Sequence, residues 1–125
     1  MGDLLYKDLC YRLAGIAFTI DNELGFGFEE KVYANAFEEL LKKEGISYQR
    51  EVYYPIVFNG KKIAKKYFDF TIDNKMVLEL KTGENYYKNV CPQVFQYLKT
   101  SGLKLGLVIR FTKGGVKIKR IPNIY

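Results

Sequence analysis

The residues best suited to chemistry lie in the segment 68–81, FDFTIDNKMVLELK. Apolar and polar residues alternate there with the period of two that is typical of β-strands. A loop at residues 73–75 divides the segment into a hairpin and keeps apolar residues opposite one another, whereas a slip of one residue would turn one apolar set to the wrong face. This register places Asp69 opposite Glu79, with Lys81 further along the face of Glu79. It predicts three apolar pairs on the other face: Phe68 with Leu80, Phe70 with Leu78, and Ile72 with Met76.

Two carboxylates that face each other in a strand pair destabilise it. A hard divalent cation such as Mg²⁺ would remove this repulsion, because it takes one or two carboxylates and several waters as ligands. Lys81 beside Asp69 and Glu79 could then orient a water or stabilise developing negative charge. The alternative is an ordinary hairpin in which both acids pair with Lys81, since charged residues are common on a solvent-facing sheet surface. The spacing alone leaves both interpretations open.

The composition excludes several other kinds of site. The chain of 125 residues contains no His and has two Cys, Cys10 and Cys91. Histidine-based acid–base catalysis, Ser–His or Cys–His hydrolysis and His-ligated metals are therefore excluded. Two isolated cysteines are too few for a zinc site or a disulfide framework. Any metal must be held by oxygen.

The net charge indicates the kind of partner, and the length limits the number of domains. Twenty Lys and Arg against 14 Asp and Glu give a net charge of +6, which favours a polyanionic partner. The length predicts a single domain over residues 1–125. The longest apolar run, residues 13–20, is far too short for a membrane span, and no signal peptide is visible. We therefore expect no membrane partner and a cytoplasmic protein with reduced thiols. The oligomeric state cannot be inferred.

Apolar residues at helical spacing predict three helices that would position the hairpin. The first covers residues 4–24, the second covers 28–44, and the third runs from Asn89 to Gly102. Glu30 in the second helix lies at the border of the buried face, where an acid also favours the helix N-terminus through the macrodipole. Gln93 and Tyr97 in the third helix are four residues apart and share a face, as at any amphipathic border.

The other segments predict strands. Residues 48–58 are rich in β-formers, and Pro55 indicates an edge strand, a strand end or a bulge. Asn59-Gly60 predicts a tight turn into a second, short strand near Lys61. Residues 82–88 predict a polar connection. Residues 103–111 are almost continuously apolar, as in a buried parallel strand, and a further strand covers 116–120. The order predicts an α/β (α+β) fold with a central mixed sheet flanked by helices.

Lysines gather on two of these predicted strands. A lysine-guarded sheet edge is the ordinary explanation, and a track for phosphates is the functional alternative. The residues concerned are Lys61, Lys62, Lys65, Lys66, Lys117 and Lys119.

These motifs together resemble the active-site signature of the PD-(D/E)XK nuclease superfamily. Asp69 followed by Glu79-Leu80-Lys81 is similar to its acidic residue and its (D/E)XK tripeptide. Residues 25–33, GFGFEEKVY, resemble the pattern after which the GxxExxY family is named. Gln93 and Tyr97 resemble the Q-x-x-x-Y helix motif of RecB-like and lambda-exonuclease-like branches. Phe68 stands where the superfamily's name has proline, at a loosely kept position.

The resemblance implies a restriction-endonuclease-like core and a metal-dependent nuclease that acts on nucleic acid, DNA rather than RNA. It implies that Asp69, Glu79 and the Leu80 carbonyl bind Mg²⁺ or Mn²⁺, and that Glu30 completes or orients the metal shell. Lys81 would orient the attacking water and stabilise charge on the scissile phosphate.

The resemblance also implies roles for residues outside the hairpin. Gln93 and Tyr97 would support the metal shell or hold a backbone phosphate, and Tyr33 would mainly pack. The two groups of lysines would contact phosphates, which positions a strand without reading its bases.

Two other functions remain open. One is a non-catalytic nucleic-acid-binding module that has kept the nuclease fold, and the other is a protein-interaction module. A binding module needs lysines but has no use for two facing carboxylates. The combination of Asp69, Glu79 and Lys81 therefore favours catalysis.

Overall fold

A computed structural model of the chain describes residues 4–83 and 89–125. Its elements follow the predicted order. In chain order they are α1 (Lys7–Leu24), α2 (Glu30–Lys43), β1 (Tyr48–Phe58), β2 (Lys61–Ile72), β3 (Met76–Thr82), α3 (Val90–Ser101), β4 (Leu105–Thr112) and β5 (Gly115–Pro122).

The five strands form one mixed sheet in the order β1-β2-β3-β4-β5. Strands β3 and β4 are parallel, as expected for the apolar segment that follows α3, and the other neighbouring pairs are antiparallel. Strand β1 is an edge strand, which confirms the interpretation of Pro55. The turn at Asn59-Gly60 and a strand that begins at Lys61 are confirmed, but the prediction that this strand is short was wrong. Residues 61–72 contain no Gly or Pro, so they continue as one strand of 12 residues.

Helices cover both faces of the sheet. Apolar side chains of α1 and α2, including Leu13 and Phe37, pack with Leu78 in one buried cluster. Val94 of α3 packs with Val77 in a second cluster. The two clusters lie on opposite faces because adjacent residues of a strand point in opposite directions. Within the described residues, none of these helices is long and apolar enough to cross a membrane.

Helix α3 lies directly on the backbone of β4. A methyl group built on Gly106 would collide with the buried side chain of Val94. Glycine at this position therefore allows the close approach of helix and sheet.

Two predicted helices begin later than expected. Helix α1 begins at Lys7 rather than at residue 4, because Tyr6 has a left-handed backbone with φ of 55°. Helix α2 begins at Glu30 rather than at residue 28, because Glu29 is extended, with φ −68° and ψ 155°. Thr82, predicted to begin a polar connection, is the last residue of β3. Residues 84–88 of that predicted connection lie outside the described residues.

The hairpin register is confirmed near its loop and changes further along. Phe70 pairs with Leu78 and Ile72 with Met76, and the N–H of Lys75 donates to the carbonyl of Ile72 at 2.9 Å. The backbone pairing of β2 with β3 ends at Phe70, so the predicted pairs Phe68 with Leu80 and Asp69 with Glu79 are not pairs of the backbone ladder.

The prediction that Phe68 shares a face with Phe70 was wrong. Phe68 belongs to the cluster beneath α3, whereas Phe70 belongs to the cluster beneath α1 and α2. The reversal occurs beside Glu51 of β1, which has a left-handed φ of 58°. The pairs on either side of it, Arg50 with Phe70 and Val52 with Phe68, are both kept. A left-handed residue of this kind rotates a strand and re-aims its side chains, as in a β-bulge.

Candidate active site

The carboxylates of Asp69 and Glu79 join β2 to β3 where the backbone ladder ends. The backbone N–H of Asp69 donates to Glu79 Oε1 at 2.8 Å. The backbone N–H of Leu80 donates to Asp69 Oδ2 at 2.7 Å. Each carboxylate thus accepts a hydrogen bond from the main chain of the opposite strand. Charge-assisted bonds of this length are strong, so they fix the two acids side by side.

Burial and the neighbouring acid perturb Glu79. Glu79 is only 8% exposed to solvent. Desolvation first, and then the charge of Asp69, raise the pKa of Glu79 to about 8, although the Asp69 N–H and Lys81 act in the opposite direction. Without a cation, Glu79 therefore keeps its proton to a higher pH than an exposed glutamate does. A bound cation would favour the ionised form, because a metal displaces the proton of its ligand.

Lys81 lies on the face of Glu79, as predicted. Its Nζ is 3.9 Å from Glu79 Oε2, and its side chain is 38% exposed. An ion pair of this length and exposure adds little stability. Asp69 is instead engaged by the N–H of Leu80. The structure thus differs from an ordinary hairpin in which both acids would pair with Lys81.

Arg110 of β4 is a candidate site residue that the sequence did not reveal. The parallel register places Arg110 beside Lys81, and the next pairing places Lys117 of β5 beside Arg110. Residues paired in register point to the same face, so three cations form a row on the face of Glu79. Like charges on adjacent strands repel, and an anion such as a phosphate would relieve the repulsion. The available signal was a single arginine within an otherwise buried apolar strand.

The donor atoms fit a hard cation. The two fixed carboxylates offer oxygen donors alone, which would suit Mg²⁺ or Mn²⁺ with waters filling the other positions, and the part of the Leu80 carbonyl stays a prediction. Glu30 is exposed at the first residue of α2. Among residues 4–83 and 89–125, no group of three or more His, Cys, Asp or Glu is close enough to hold a metal. The part of Glu30 in a metal shell therefore stays a prediction.

Tyr33 ties the glycine-rich turn before α2 to the end of the sheet. Its ring is fully buried and stacks on Phe111 of β4, with centroids 4.2 Å apart. Its hydroxyl donates to the carbonyl of Gly25 at 2.7 Å and accepts the N–H of Phe28 at 3.4 Å. Phe111 pairs with Thr82, so this turn lies at the end of β3 that carries Lys81. The packing role predicted for Tyr33 is what the structure shows.

Gln93 and Tyr97 of α3 both face the β1–β2 hairpin. The ring of Tyr97 lies 4.8 Å from that of Phe68 and 5.2 Å from that of Tyr54, and burial raises the pKa of Tyr97. Tyr97 therefore contacts the residue that precedes Asp69. Gln93 lines a groove of about 350 Å³ together with Lys66.

The predicted phosphate-contacting lysines lie in two separate places. Lys61, Lys62 and Lys65 are exposed on β2, and Lys66 is partly buried in the groove beside α3. Lys117 and Lys119 are exposed on the edge strand β5.

Almost the whole chain is similar to a known family and to a solved structure. Residues 7–121 match the model of the PD-(D/E)XK nuclease superfamily. No curated protein matches the chain significantly. The crystal structure of SSO0001 superposes with a TM-score of 0.56 at 21% identity, over 94% of this chain and 57% of that one. The chain thus spans little more than half of that protein. At this identity the likeness concerns the fold alone.

Proposed function

Because the chain belongs to the PD-(D/E)XK nuclease superfamily, we propose that it is a metal-dependent nuclease that hydrolyses phosphodiester bonds in nucleic acid. The reciprocal hydrogen bonds of Asp69 and Glu79 support this proposal most directly. They hold two repelling carboxylates together at the end of a strand pair, an arrangement that a binding surface does not need. A divalent cation turns this repulsion into a stable set of ligands.

Asp69, Glu79 and the carbonyl of Leu80 would hold the cation. When bound, Mg²⁺ or Mn²⁺ lowers the pKa of water and offsets charge on the phosphoryl oxygens. Lys81, 3.9 Å from Glu79, would orient the attacking water and stabilise the charge that grows on the phosphate. Arg110 and Lys117 continue the positive charge across the sheet and would hold neighbouring phosphates. Glu30 would complete or orient the metal shell.

We also propose a place for the chain within the superfamily. The turn anchored by Tyr33 supports membership of the GxxExxY family, and Gln93 and Tyr97 support a RecB-like or lambda-exonuclease-like branch. Tyr97 would position Asp69 through Phe68, and Gln93 would hold a backbone phosphate with Lys66. DNA is then the expected substrate rather than RNA. Residues 1–125 would act as one nuclease domain in the cytoplasm.

Cleavage of labelled linear DNA, circular DNA and RNA with Mn²⁺, Mg²⁺ or chelator tests this function. We expect metal-dependent cutting by the wild type and none by Asp69→Ala. Asp73→Ala, which removes an exposed acid of the hairpin loop, is the matched control and should cut normally. Cutting of circular DNA would identify an endonuclease.

A binding module without catalysis is the second candidate, and the row of Lys81, Arg110 and Lys117 favours it equally. Binding that weakens steeply with salt but leads to no cutting would establish this function, because each phosphate contact releases counterions. A protein-interaction module would show neither cutting nor salt-sensitive binding of nucleic acid.

A further inference from the structure

The β1–β2 hairpin extends beyond the end of the sheet that carries the paired acids. Thr82 and Lys66 each lie four residues beyond the last backbone pair, Phe70 with Leu78, and so at a similar distance along their strands. Strand β3 ends at Thr82, whereas β2 begins at Lys61. At about 3.4 Å per residue, the hairpin therefore projects roughly 17 Å past β3. We call residues 53–67 the arm.

The arm is basic and contains no acidic residue. Its sequence, YYPIVFNGKKIAKKY, has four lysines and no Asp or Glu. Lysines on an open strand edge are commonly a guard against aggregation. That explanation does not account for the exposed apolar and aromatic residues beside them, among which Phe58 and Ile63 are each 62% exposed. The arm thus combines positive charge with accessible ring and aliphatic surface.

Two tyrosines lie at the base of the arm, where it joins the sheet. Tyr53 and Tyr67 are directly paired across the strands, with ring centroids 5.6 Å apart, and they are 44% and 55% exposed. Lys62 Nζ lies 5.7 Å from the centre of the Tyr53 ring. Lys62 and Lys65 also line a shallow groove with Tyr53. A cross-strand aromatic pair stabilises a hairpin, but here much of each ring remains open to solvent.

We propose that the arm binds an unpaired nucleic-acid strand, with bases stacked on Tyr53 and Tyr67 and phosphates on Lys62 and Lys65. Aromatic rings combined with lysines are the general means of binding single strands, since every base offers a flat face. Bases within a duplex are already stacked on one another and cannot use these rings. The arm thus selects a single strand or the single-stranded end of a duplex.

The position of the arm connects this surface to the paired acids. Tyr67 precedes Asp69 by two residues on β2, about 7 Å along the strand. Because Tyr67 and Phe68 point to opposite faces of the sheet, a strand bound at Tyr67 would reach the acids by continuing around the end of β3. This connection, and with it the use of the arm to supply substrate, rests on the proposed nuclease function. The binding itself does not.

Fluorescence anisotropy in chelator tests the binding, with the Asp69→Asn chain as the parent so that no strand is cut. The probes are a single-stranded oligonucleotide, a duplex and an abasic single strand of equal length. We expect Tyr53→Ala and Tyr67→Ala each to weaken single-strand binding roughly fivefold or more. Binding of the duplex and of the abasic strand should hardly change. Tyr11→Ala, which removes an 81% exposed tyrosine of α1, is the control and should bind normally.

Two further variants separate stacking from folding of the hairpin. Tyr67→Phe keeps the ring and should keep single-strand binding, while Tyr67→Leu keeps an apolar side chain and should lose it. Equal losses for the abasic and the normal strand, or no loss in any ring-removing variant, would overturn the proposal. So would an arm that joins two copies of the chain, seen in sedimentation as a dimer that Tyr67→Leu dissociates while single-strand binding stays unchanged. If the wild type cut no nucleic acid but bound single strands as described, the proposed nuclease function would be wrong and the arm's role would stand.

Discussion

Asp69 donates its backbone N–H to the carboxylate of Glu79, so Glu79 is at once a strand partner and an acid of the candidate site. The carboxylate of Asp69 makes the corresponding bond to the N–H of Leu80. Replacing either acid therefore changes a main-chain hydrogen bond as well as a charge. The variants that separate these two effects are the amides, because an amide oxygen still accepts a hydrogen bond.

Asp69→Asn should keep the fold and lose the metal. The amide oxygen can still accept the N–H of Leu80, whereas Asp69→Ala leaves that N–H without its acceptor and should cost about 1–3 kcal/mol in the free energy of unfolding. Urea unfolding measures the stability, and calorimetry with Mn²⁺ measures metal binding. Mn²⁺ affinity in Asp69→Asn equal to that of the wild type would refute the metal site.

The stability of the metal-free protein should fall as the pH rises. Burial and the charge of Asp69 raise the pKa of Glu79 from 4.5 to about 8, so the folded state binds more protons than the unfolded state between these values. Stability is then lost progressively up to about pH 8 and levels off above it.

Glu79→Gln should remove this pH dependence. Thermal melts in chelator from about pH 5 to pH 9 should show the variant gaining stability relative to the wild type as the pH rises. At high pH the wild type carries two facing negative charges, Asp69 and Glu79, whereas the variant carries only that of Asp69. Parallel melting curves for the two proteins would contradict the assignment of this titration to Glu79.

Lys81→Ala should bind Mn²⁺ almost normally but cut poorly. Its Nζ lies near Glu79 without being needed to hold the cation, and the loss of one stabilising group for the developing charge commonly lowers turnover by about 10²- to 10³-fold. Single-turnover cleavage at saturating metal measures the effect. Lys75→Ala, an exposed lysine of the hairpin loop, is the control. Normal cutting by Lys81→Ala would remove Lys81 from the mechanism.

Arg110→Gln should weaken nucleic-acid binding and reduce its dependence on salt. Arg110 lies between Lys81 and Lys117 in register, so its loss should remove about one phosphate contact and lower the salt slope by about 1. Arg12→Gln, at a 47% exposed arginine of α1, should leave the slope unchanged. If both variants gave the wild-type slope, the row of cations would not be part of the binding surface.

Glu30→Gln should lower the affinity for Mn²⁺ severalfold if α2 completes the metal shell. Glu29→Gln is the matched control, because Glu29 precedes it and is also exposed. Calorimetry on both variants decides the question. Equal affinities would limit the site to the hairpin residues.

The sequence predicted those features that follow from local pattern. Alternation and turn chemistry determined the hairpin register near Ile72 and Met76, and an uninterrupted apolar run identified the buried parallel strand. The reversal at Phe68 could not be predicted in this way, since its spacing from Phe70 favours a common face. Phe68 contacts Tyr97 beneath α3 and pairs with Val52, next to the left-handed Glu51, and both relationships are properties of the assembled fold.

Arg110 illustrates a second limit. The neighbour of a residue in a parallel strand pair depends on how the intervening helix returns the chain, and no local pattern encodes that register. The proximity of Arg110 to Lys81 therefore became visible only with the sheet assembled. The sequence predicted only that Asp69 and Glu79 face each other. That each carboxylate accepts a main-chain N–H of the opposite strand likewise became visible only in the structure.

Because α3 packs closely against Gly106, a substitution far from any charged group is expected to inactivate the protein. An alanine at position 106 would push Val94, and α3 with it, away from the sheet. Tyr97 lies in the same helix and contacts Phe68, the residue before Asp69. A single methyl group would thus reach the paired acids through a chain of apolar contacts, and its phenotype would be restored by a smaller residue in place of Val94.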